Sequence, residues 1–226
     1  MVWLPRRLQG LLQKALRRQY ENLSPLQKMS LRRQLVDLHT HLHGQIPLAT
    51  LCSGTDVLVH CFECLATLWL ELFGLDFKVD HVMSCENVIK KRDWIEAHFK
   101  PAALFTDILN MGEPRTEDHT GKMTTVGPFQ FLGSGVECDS ISSLYMHASD
   151  NRMCIDQQEG KTGITAKGHF DAIRQHRPVF WFLENVKNLA TKHKEVLSAI
   201  WTQSSFWPTG SDTSSASIYW TPANTE

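Results

Sequence analysis

The sequence predicts an α/β domain built on a mostly parallel sheet, and two observations support this fold class. Five short apolar runs alternate with stretches of helical periodicity, and each run is followed by polar or acidic residues. A strand, a helix and a second strand in this order normally form a right-handed crossover, which makes the two strands parallel. The chain has 226 residues, of which 42% are hydrophobic and 21% charged, and this suits one globular domain with a sizeable core.

The predicted strands and helices form a domain over residues 46–201. Strands are expected at 46–51, 79–84, 103 to about 107, 129–132 and 178–183. Helices are expected at 57–73, 87–99, 167–176 and 188–201, with Gly74 and Pro101 ending the first two. Residues 110–128 are expected to form a loop, 142–168 to be polar and irregular, and the Ser/Thr-rich residues 202–226 to form an irregular tail.

Residues 1–45 differ in charge from the rest and are predicted to form a basic helical arm or linker. Residues 1–36 carry eight Lys/Arg residues against one acid, Glu21. The apolar residues on one helical face of this segment are Leu8, Leu11, Leu12, Ala15 and Leu16. The pattern favours an amphipathic helix with a solvated basic side. An arm that contacts nucleic acid and an organelle-targeting peptide are the alternatives.

Composition argues against a membrane protein and a disulfide-bonded scaffold. No run approaches the roughly 18 apolar residues of a membrane span, so we expect no membrane association. Six cysteines without an evident secretory signal indicate free thiols in a reducing, intracellular compartment. The net charge of -1 gives no global attraction to nucleic acid, so binding of that kind requires a local basic patch.

Candidate functional side chains lie where the predicted strands end. Ligands of parallel sheets bind beyond the carboxyl ends of the strands. The residues at or just after these ends are Asp56, Glu86, Asp107, Cys138 and Glu184. Their shared position is the strongest physical argument for a site.

Three of these strand ends carry residues suited to a nucleoside. Ser53-Gly54-Thr55 lies where the chain must turn close to a ligand, and Gly54 permits the backbone angles of such a turn. An ordinary turn is the alternative. Glu86 suits a carboxylate that accepts from two ribose hydroxyls, or else it is a solvated acid at a helix start. Asp107 suits an acceptor for an adenine amino group, or else it is a loop acid or helix cap.

Cys138 and Glu184 are the candidate reactive groups. A lone cysteine is more often an inert buried thiol, and a nucleophile requires thiolate character. The flanking Glu137 and Asp139 raise the pKa of a neighbouring thiol unless their side chains point away. Glu184 ends an apolar strand, where desolvation favours a protonated carboxyl that donates to a ring nitrogen. A carboxylate satisfied by backbone amides is the alternative.

These segments, in this order, resemble the cytosine-C5 DNA methyltransferase family over roughly residues 46–190. The segments that carry the resemblance are Ser53-Gly54-Thr55, Ser84-Cys85-Glu86-Asn87, Thr106-Asp107-Ile108, Gly135-Val136-Glu137-Cys138-Asp139-Ser140-Ile141-Ser142 and Phe182-Leu183-Glu184-Asn185-Val186. The last of these is the nearest match. The resemblance implies a Rossmann-like fold that binds S-adenosylmethionine and acts on DNA.

The resemblance also implies roles for single residues. Those implied to bind S-adenosylmethionine are Ser53, Gly54, Thr55, Glu86, Asn87, Asp107 and Ile108. The Cys138 thiolate would attack C6 of a cytosine flipped out of the duplex while Glu184 stabilises N3, and C5 would then take the methyl group. Those implied to position the substrate are Gly135, Ser142 and Asn185. No metal is implied.

Departures from the family pattern keep a second interpretation open. Glu137 stands where the family has proline, and Asp139 stands where it has glutamine. No Gln-x-Arg-x-Arg segment or target-recognition region follows, so we expect a divergent and C-terminally truncated member. The second interpretation is a catalytically impaired protein that binds cofactor or a protein partner. A partner or a missing C-terminal region would supply target recognition, and a eukaryotic chromatin enzyme would be nuclear.

Two other motifs suggest metal or redox chemistry. Asp37-Leu38-His39-Thr40-His41-Leu42-His43-Gly44 resembles the first metal motif of amidohydrolases, in which alternating histidines at a strand end ligate zinc. Polar linker histidines are the alternative. Cys61 and Cys64 have redox or zinc spacing, but they lie on an apolar helical stretch and are expected to be core thiols.

Overall fold

A computed structural model describes residues 6–52, 54–137 and 160–184. The helices and strands in chain order are α1 (Arg6–Glu21), α2 (Pro25–His41), β1 (Gln45–Leu51), α3 (Val57–Phe73), β2 (Lys78–Cys85), α4 (Ile89–His98), β3 (Ala103–Phe105), a 3-10 helix (Ile108–Gly112), β4 (Arg115–Glu117), β5 (Met123–Thr125), β6 (Phe131–Gly135), α5 (Gly160–His176) and β7 (Phe180–Glu184). The predicted α/β class is confirmed, since this is a Rossmann-like arrangement of helices around a parallel sheet.

The main sheet has the strand order β3-β2-β1-β6-β7, and each neighbouring pair in it is parallel. The chain runs outward from β1 to β3 on one side and continues on the other side of β1 with β6 and β7. The strand order therefore reverses at β1. In open sheets of this kind, a crevice forms beyond the carboxyl ends of the two strands that flank the reversal.

β1 is largely buried because it has a neighbour on both sides and a hydrophobic cluster on both faces. Ile46, Leu48 and Leu51 are fully buried in it. One face of the sheet packs against α5 and the 3-10 helix through a cluster that includes Met83, Phe105, Met111, Leu132 and Ile173. The other face packs against α2 and α3 through a cluster that includes Leu42, Ile46, Val59, Phe62 and Phe131.

Most predicted elements are confirmed to within a few residues. The bounds predicted for α3 are those observed, because Gly74 adopts the left-handed conformation (φ 70°) and its N–H bonds to the Leu70 carbonyl oxygen at 2.9 Å. The observed bounds of the first three strands lie within two residues of the predicted bounds. The helix expected at 188–201 and the tail at 202–226 lie outside the described residues.

Two predicted irregular regions are wrong in part. Residues 110–128 contain the end of the 3-10 helix and the antiparallel pair β4–β5 instead of a simple loop. The turn of this pair is closed by Asp118, whose carboxylate accepts from Thr120, Lys122 and Thr124. α5 begins at Gly160, although residues 142–168 were predicted to be irregular. The buried face of its first half consists of small residues, so it lacks an apolar periodicity.

The basic N-terminal segment forms two helices. α2 begins at a capping box in which the side chains of Ser24 and Gln27 each accept from the other residue's backbone N–H. α1 packs on the end of α3, where Arg17 pairs with Glu71 and Tyr20 lies edge-on to Phe73. None of the described helices is long and apolar enough to cross a bilayer.

α5 and the 3-10 helix pack backbone to backbone at Gly168. A Cβ atom at Gly168 would lie 2.5 Å from the Ile108 carbonyl oxygen, a distance that real Cβ contacts do not reach. The close approach also buries His169, whose Nδ1 lies 2.6 Å from Ser134 Oγ at the end of β6. This contact therefore fixes α5 against the strand that leads into the candidate site.

Gly168→Ala is predicted to destabilise the protein by about 2–3 kcal/mol, because the added methyl overlaps backbone atoms that cannot move independently. The matched control is Gly10→Ala in α1, where nothing lies within 4 Å of an added Cβ. This change should stabilise the protein by up to about 1 kcal/mol through helix propensity. Urea unfolding measures both free energies. Equal stability of Gly168→Ala and wild type would contradict the packing described.

Candidate active site

The carboxyl ends of the parallel strands meet at one edge of the sheet. Cys52 N donates to the Cys85 carbonyl oxygen at 2.8 Å, which joins the ends of β1 and β2. Glu86 N donates to the Phe105 carbonyl oxygen at 3.1 Å, which joins the ends of β2 and β3. At the other side, Gly135 and Glu184 are register partners at the ends of β6 and β7. Those predicted site residues that the structure describes therefore follow five strand ends along one edge.

The turn after β1 has an unusual backbone. Cys52, Gly54 and Asp56 all have positive φ angles, of 51°, 65° and 53°. This conformation costs a non-glycine residue about 1–2 kcal/mol, although aspartate tolerates it better than most. No atom of the part of the chain that the structure describes lies within 4 Å of a Cβ built on Gly54, so the turn borders open space there. Thr55 is exposed on the same turn, and the predicted site residue Ser53 lies outside the described residues.

Glu86 is buried at the end of β2 and contacts this turn directly. Its side chain is 3% exposed, so the alternative of a solvated acid at a helix start is wrong. Oε2 accepts from the Gly54 N–H at 3.1 Å, and Oε1 accepts from the Val88 N–H at 3.0 Å. Lys91 Nζ lies 4.0 Å from Oε2. Each carboxylate oxygen retains a lone pair for a further donor.

The segment after Glu86 is held by Arg92. Its Nη1 donates to the carbonyl oxygens of Glu86 and Asn87, at 3.0 and 2.7 Å. The Asn87 side chain is exposed next to the buried carboxylate. Arg92 thus fixes the backbone of both predicted residues. The Glu86 side chain is buried and the Asn87 side chain is exposed.

Asp107 and Ile108, which follow β3 and were predicted to bind the cofactor together, have different surroundings. Asp107 is exposed, and its Oδ1 accepts from the Leu109 N–H at 2.9 Å, which caps the 3-10 helix. The predicted alternative of a helix cap is therefore observed. Ile108 is 7% exposed, and its side chain packs in the hydrophobic cluster beneath the sheet edge. Ile108 therefore presents no side chain to the open edge.

The ends of β6 and β7 bring Gly135, Cys52 and Glu184 close together. A Cβ at Gly135 would lie 3.2 Å from the Cys52 carbonyl oxygen and 3.7 Å from Glu184 Oε2. Glu184 itself is exposed, so the desolvation predicted for it is wrong. Among the described strands, β7 lies at one end of the main sheet, and its side chains are only half-buried. Three predicted residues, Cys138, Ser142 and Asn185, lie outside the described ranges.

A buried polar cluster beneath the turn was not predicted. Asp56 is fully buried and accepts from Thr50 Oγ1 at 2.7 Å and from Ser84 Oγ at 2.5 Å. His81 Nε2 lies 2.8 Å from Ser84 Oγ. Since Ser84 donates to Asp56, it accepts from the His81 N–H. The sequence signal for this cluster is a hydroxyl residue near the end of each of two apolar strands.

The histidine motif contradicts the zinc amidohydrolase alternative. His39 and His41 lie in the last turn of α2 and not at a strand end. Residues two apart on a helix point in opposite directions. His39 Nε2 instead lies 3.1 Å from the Asp76 carbonyl oxygen. Across the described ranges, no group of three or more potential ligands is placed to hold a metal.

Cys61 and Cys64 lie on α3 as free thiols, with Cys64 only 1% exposed. The prediction that they are core thiols is confirmed for Cys64, while Cys61 is partly exposed.

Comparison with known proteins decides the family. DNA (cytosine-5-)-methyltransferase DMT5 of Cryptococcus neoformans var. grubii is 33% identical to this chain over 156 residues. The chain is a divergent member of the cytosine-C5 DNA methyltransferase family. The similarity covers 68% of this chain but only 6% of the length of the fungal protein. No protein-family model matches the chain.

The candidate site of this methyltransferase-family chain is strongly acidic. Burial and, after it, the carboxylates of Glu86, Glu137 and Asp107 together raise the pKa of Cys52 to about 12, against the opposing charge of Lys91. Glu137 follows β6, and its backbone N–H donates to Thr165 Oγ1 at 3.1 Å. Its Oε2 is buried, and no described residue gives it a hydrogen bond. Carboxylates from three strand ends therefore act on one thiol.

Cys52 is predicted to resist alkylation in the folded protein. With a pKa of about 12, only about one Cys52 side chain in ten thousand is a thiolate at pH 8. Iodoacetamide treatment at pH 8 followed by peptide mass spectrometry measures the modified fraction. The control is the same reaction in concentrated urea, where the thiol is solvated and should react fully. Equal rates in the two conditions would disprove the acidic, buried environment.

Proposed function

We propose that this chain contributes the cofactor-binding and nucleophile segments of a DNA cytosine-C5 methyltransferase that uses S-adenosylmethionine. The observation that carries the proposal is the hydrogen bond between the Gly54 N–H and the buried carboxylate of Glu86 at the reversal of strand order. A buried carboxylate beside an open turn is the arrangement that a ribose with two hydroxyl donors requires. Membership of the family supports the same assignment.

The residues at the sheet edge fit S-adenosylmethionine chemically. Glu86 supplies acceptors for ribose hydroxyls, and the exposed Asp107 supplies an acceptor for the adenine amino group. The further residues proposed to line this site are Ser53, Gly54, Thr55, Asn87 and Ile108, the last through its backbone. The carboxylates of Glu86 and Glu137 favour a cation. The sulfonium group of S-adenosylmethionine is such a cation.

The proposed chemistry uses two residues: Cys138, three residues after β6 in the sequence, and Glu184 at the end of β7. Cys138, as a thiolate, adds to C6 of cytosine, while Glu184 hydrogen-bonds to N3 and stabilises the charge that develops on the ring. When bound, S-adenosylmethionine supplies an electrophilic methyl group for C5. Loss of the C5 proton and release of the thiolate from C6 then complete the reaction. The residues proposed to position the base are Gly135, Ser142 and Asn185.

DNA is the proposed substrate, and the target base must leave the duplex to reach Cys138. Flipping a base costs a few kcal/mol, which contacts elsewhere on the DNA must offset. The acidic sheet edge does not attract phosphates, so recognition of the duplex requires basic groups away from this edge. A further region of the protein or a partner would supply them.

A second candidate function is binding of S-adenosylmethionine without methyl transfer. The observation that favours it is Glu137, one residue before the proposed nucleophile, whose Oε2 is buried and receives a hydrogen bond from no described residue. An adjacent buried carboxylate disfavours the thiolate that attack on C6 requires. This candidate retains the cofactor site and loses the reaction.

Trapping on DNA that contains 5-fluorocytosine tests the reaction. Fluorine at C5 cannot leave as a proton does, so the covalent adduct should persist in the presence of S-adenosylmethionine. We expect a protein–DNA adduct that survives denaturing electrophoresis for wild type and disappears in Cys138→Ser. The control Cys61→Ser, on α3, should form the adduct as wild type does.

Two outcomes would reject catalysis by this chain on its own: no adduct with wild type at DNA concentrations high enough to drive binding without a recognition region, or an adduct that persists in Cys138→Ser. Absence of the adduct together with measurable binding of S-adenosylmethionine would support the second candidate function.

Glu86→Gln tests the cofactor site. The substitution preserves the shape of the side chain but removes its charge, and hydrogen bonds to charged groups contribute about 1.5–3 kcal/mol. We expect the Kd for S-adenosylmethionine to rise roughly ten- to hundred-fold in isothermal titration calorimetry. The matched control is Glu96→Gln on α4, an exposed acid that should leave Kd unchanged. An unchanged Kd for Glu86→Gln would reject the ribose assignment.

A further inference from the structure

We infer that Asp56 is a positioning residue, whose buried carboxylate holds the turn after β1 so that the Gly54 N–H points at Glu86. Asp56 lies between the turn and α3. Asp56 precedes the first residue of that helix, yet its side chain makes no capping bond to the helix backbone. Its carboxylate turns instead toward the interior of the sheet. It is therefore available to anchor the turn rather than the helix.

The anchor joins both strands that carry the proposed cofactor residues. Thr50 on β1 donates to one carboxylate oxygen, and Ser84 on β2 donates to the other. Thr50 and Ser84 are register partners, and their hydroxyl oxygens lie 2.9 Å apart. All three side chains are fully buried, so water does not compete for these bonds. The anchor thus has a fixed position relative to both strand ends.

The geometry of the turn explains why an anchor is needed. Cys52 and Asp56 both hold left-handed backbone angles, which the chain does not adopt without compensation. The residue between them whose amide is displayed is Gly54, and its N–H reaches Glu86 Oε2 at 3.1 Å. Fixing Asp56 on the carboxyl side and Cys52 on the amino side leaves the turn little freedom. Cys52 is fixed by its own N–H, which bonds to the Cys85 carbonyl oxygen.

Asp56 lies two residues beyond Gly54 along the backbone, and Gly54 donates to Glu86, which lies one residue beyond the end of β2. Loosening the anchor should therefore free the Gly54 amide first. The effect of a loosened anchor on the affinity for S-adenosylmethionine rests on the proposed function. The effect on the Gly54 amide is independent of that function.

Thr50 is the position for the test. Asp56→Ala would remove the acceptor that two buried hydroxyls share and leave a cavity, and it is expected to unfold the chain. Thr50→Val has nearly the shape of threonine and removes a single donor, and Thr50→Ser restores that donor. Hydrogen exchange of single amides by NMR should show the Gly54 amide exchanging at least about ten-fold faster in Thr50→Val than in wild type. Thr50→Ser should return it to near the wild-type rate.

Two controls separate local positioning from a general loss of stability. The Gln130 amide donates to the Pro47 carbonyl oxygen at 2.9 Å, near the amino ends of β1 and β6 and away from the turn. Its exchange rate should not change in Thr50→Val. Leu68→Ala removes a buried side chain from α3 and should lower the melting temperature without selectively exposing the Gly54 amide. Unchanged Gly54 exchange in Thr50→Val would overturn the inference. Equal acceleration in Thr50→Ser would overturn it as well.

Calorimetry with S-adenosylmethionine links the anchor to binding. We expect Thr50→Val to raise Kd about ten-fold and Thr50→Ser to restore it, at a temperature where each variant is folded. Wild-type binding with an unchanged Kd for Thr50→Val would overturn the role of the anchor in the site. If wild type does not bind and Gly54 exchange still responds as expected, the proposed function fails and the positioning of Gly54 by Asp56 stands.

Discussion

The structure depends on the position of β1 at the point where the strand order reverses. β1 pairs with β2 on one side and β6 on the other, so it joins the two halves of the sheet. Its carboxyl end therefore meets the turn that contacts Glu86 and also the strand that leads to Glu137 and the proposed nucleophile segment. A chain with β1 at an edge would place these groups on separate surfaces. The proposed cofactor and base sites are adjacent because this one strand is central.

The turn after β1 shows how a strained segment is stabilised by buried polar contacts. Two non-glycine residues in left-handed conformation cost about 1–2 kcal/mol each. Asp56 accepts two hydrogen bonds in a fully buried setting, and bonds to charged groups contribute about 1.5–3 kcal/mol each. The two terms are of similar size, so the anchor is able to offset the strain. Removal of either hydroxyl shifts that balance, whereas a change in the apolar core would not act on the turn selectively.

Sequence reasoning recovered the parts of the fold that depend on local patterns. Apolar runs ending in acids located Glu86 and Asp107 at strand ends, and Gly74 marked the end of α3 because it adopts a left-handed cap. The buried contacts of Asp56 could not be predicted, because Ser84 lies 28 residues away along the chain and meets Asp56 only in the folded sheet. The start of α5 was missed because Gly168 and its neighbours pack through small side chains. Exposure of Glu184 depends on β7 lying at the edge of the sheet, which an apolar run does not reveal.

The acidic edge has opposite consequences for the two components of the proposed reaction. Carboxylates that raise the pKa of Cys52 also act on any thiol nearby, and Glu137 is the residue before Cys138 in the chain. The same negative potential favours a sulfonium cation. Occupation of the site by that cation would cancel part of the charge that holds a thiol protonated, because opposite charges at short range favour the thiolate. The charge pattern therefore favours an order of events in which the cation binds before the thiol acts. The proposed coupling depends on Glu137, which stands where the family pattern has proline.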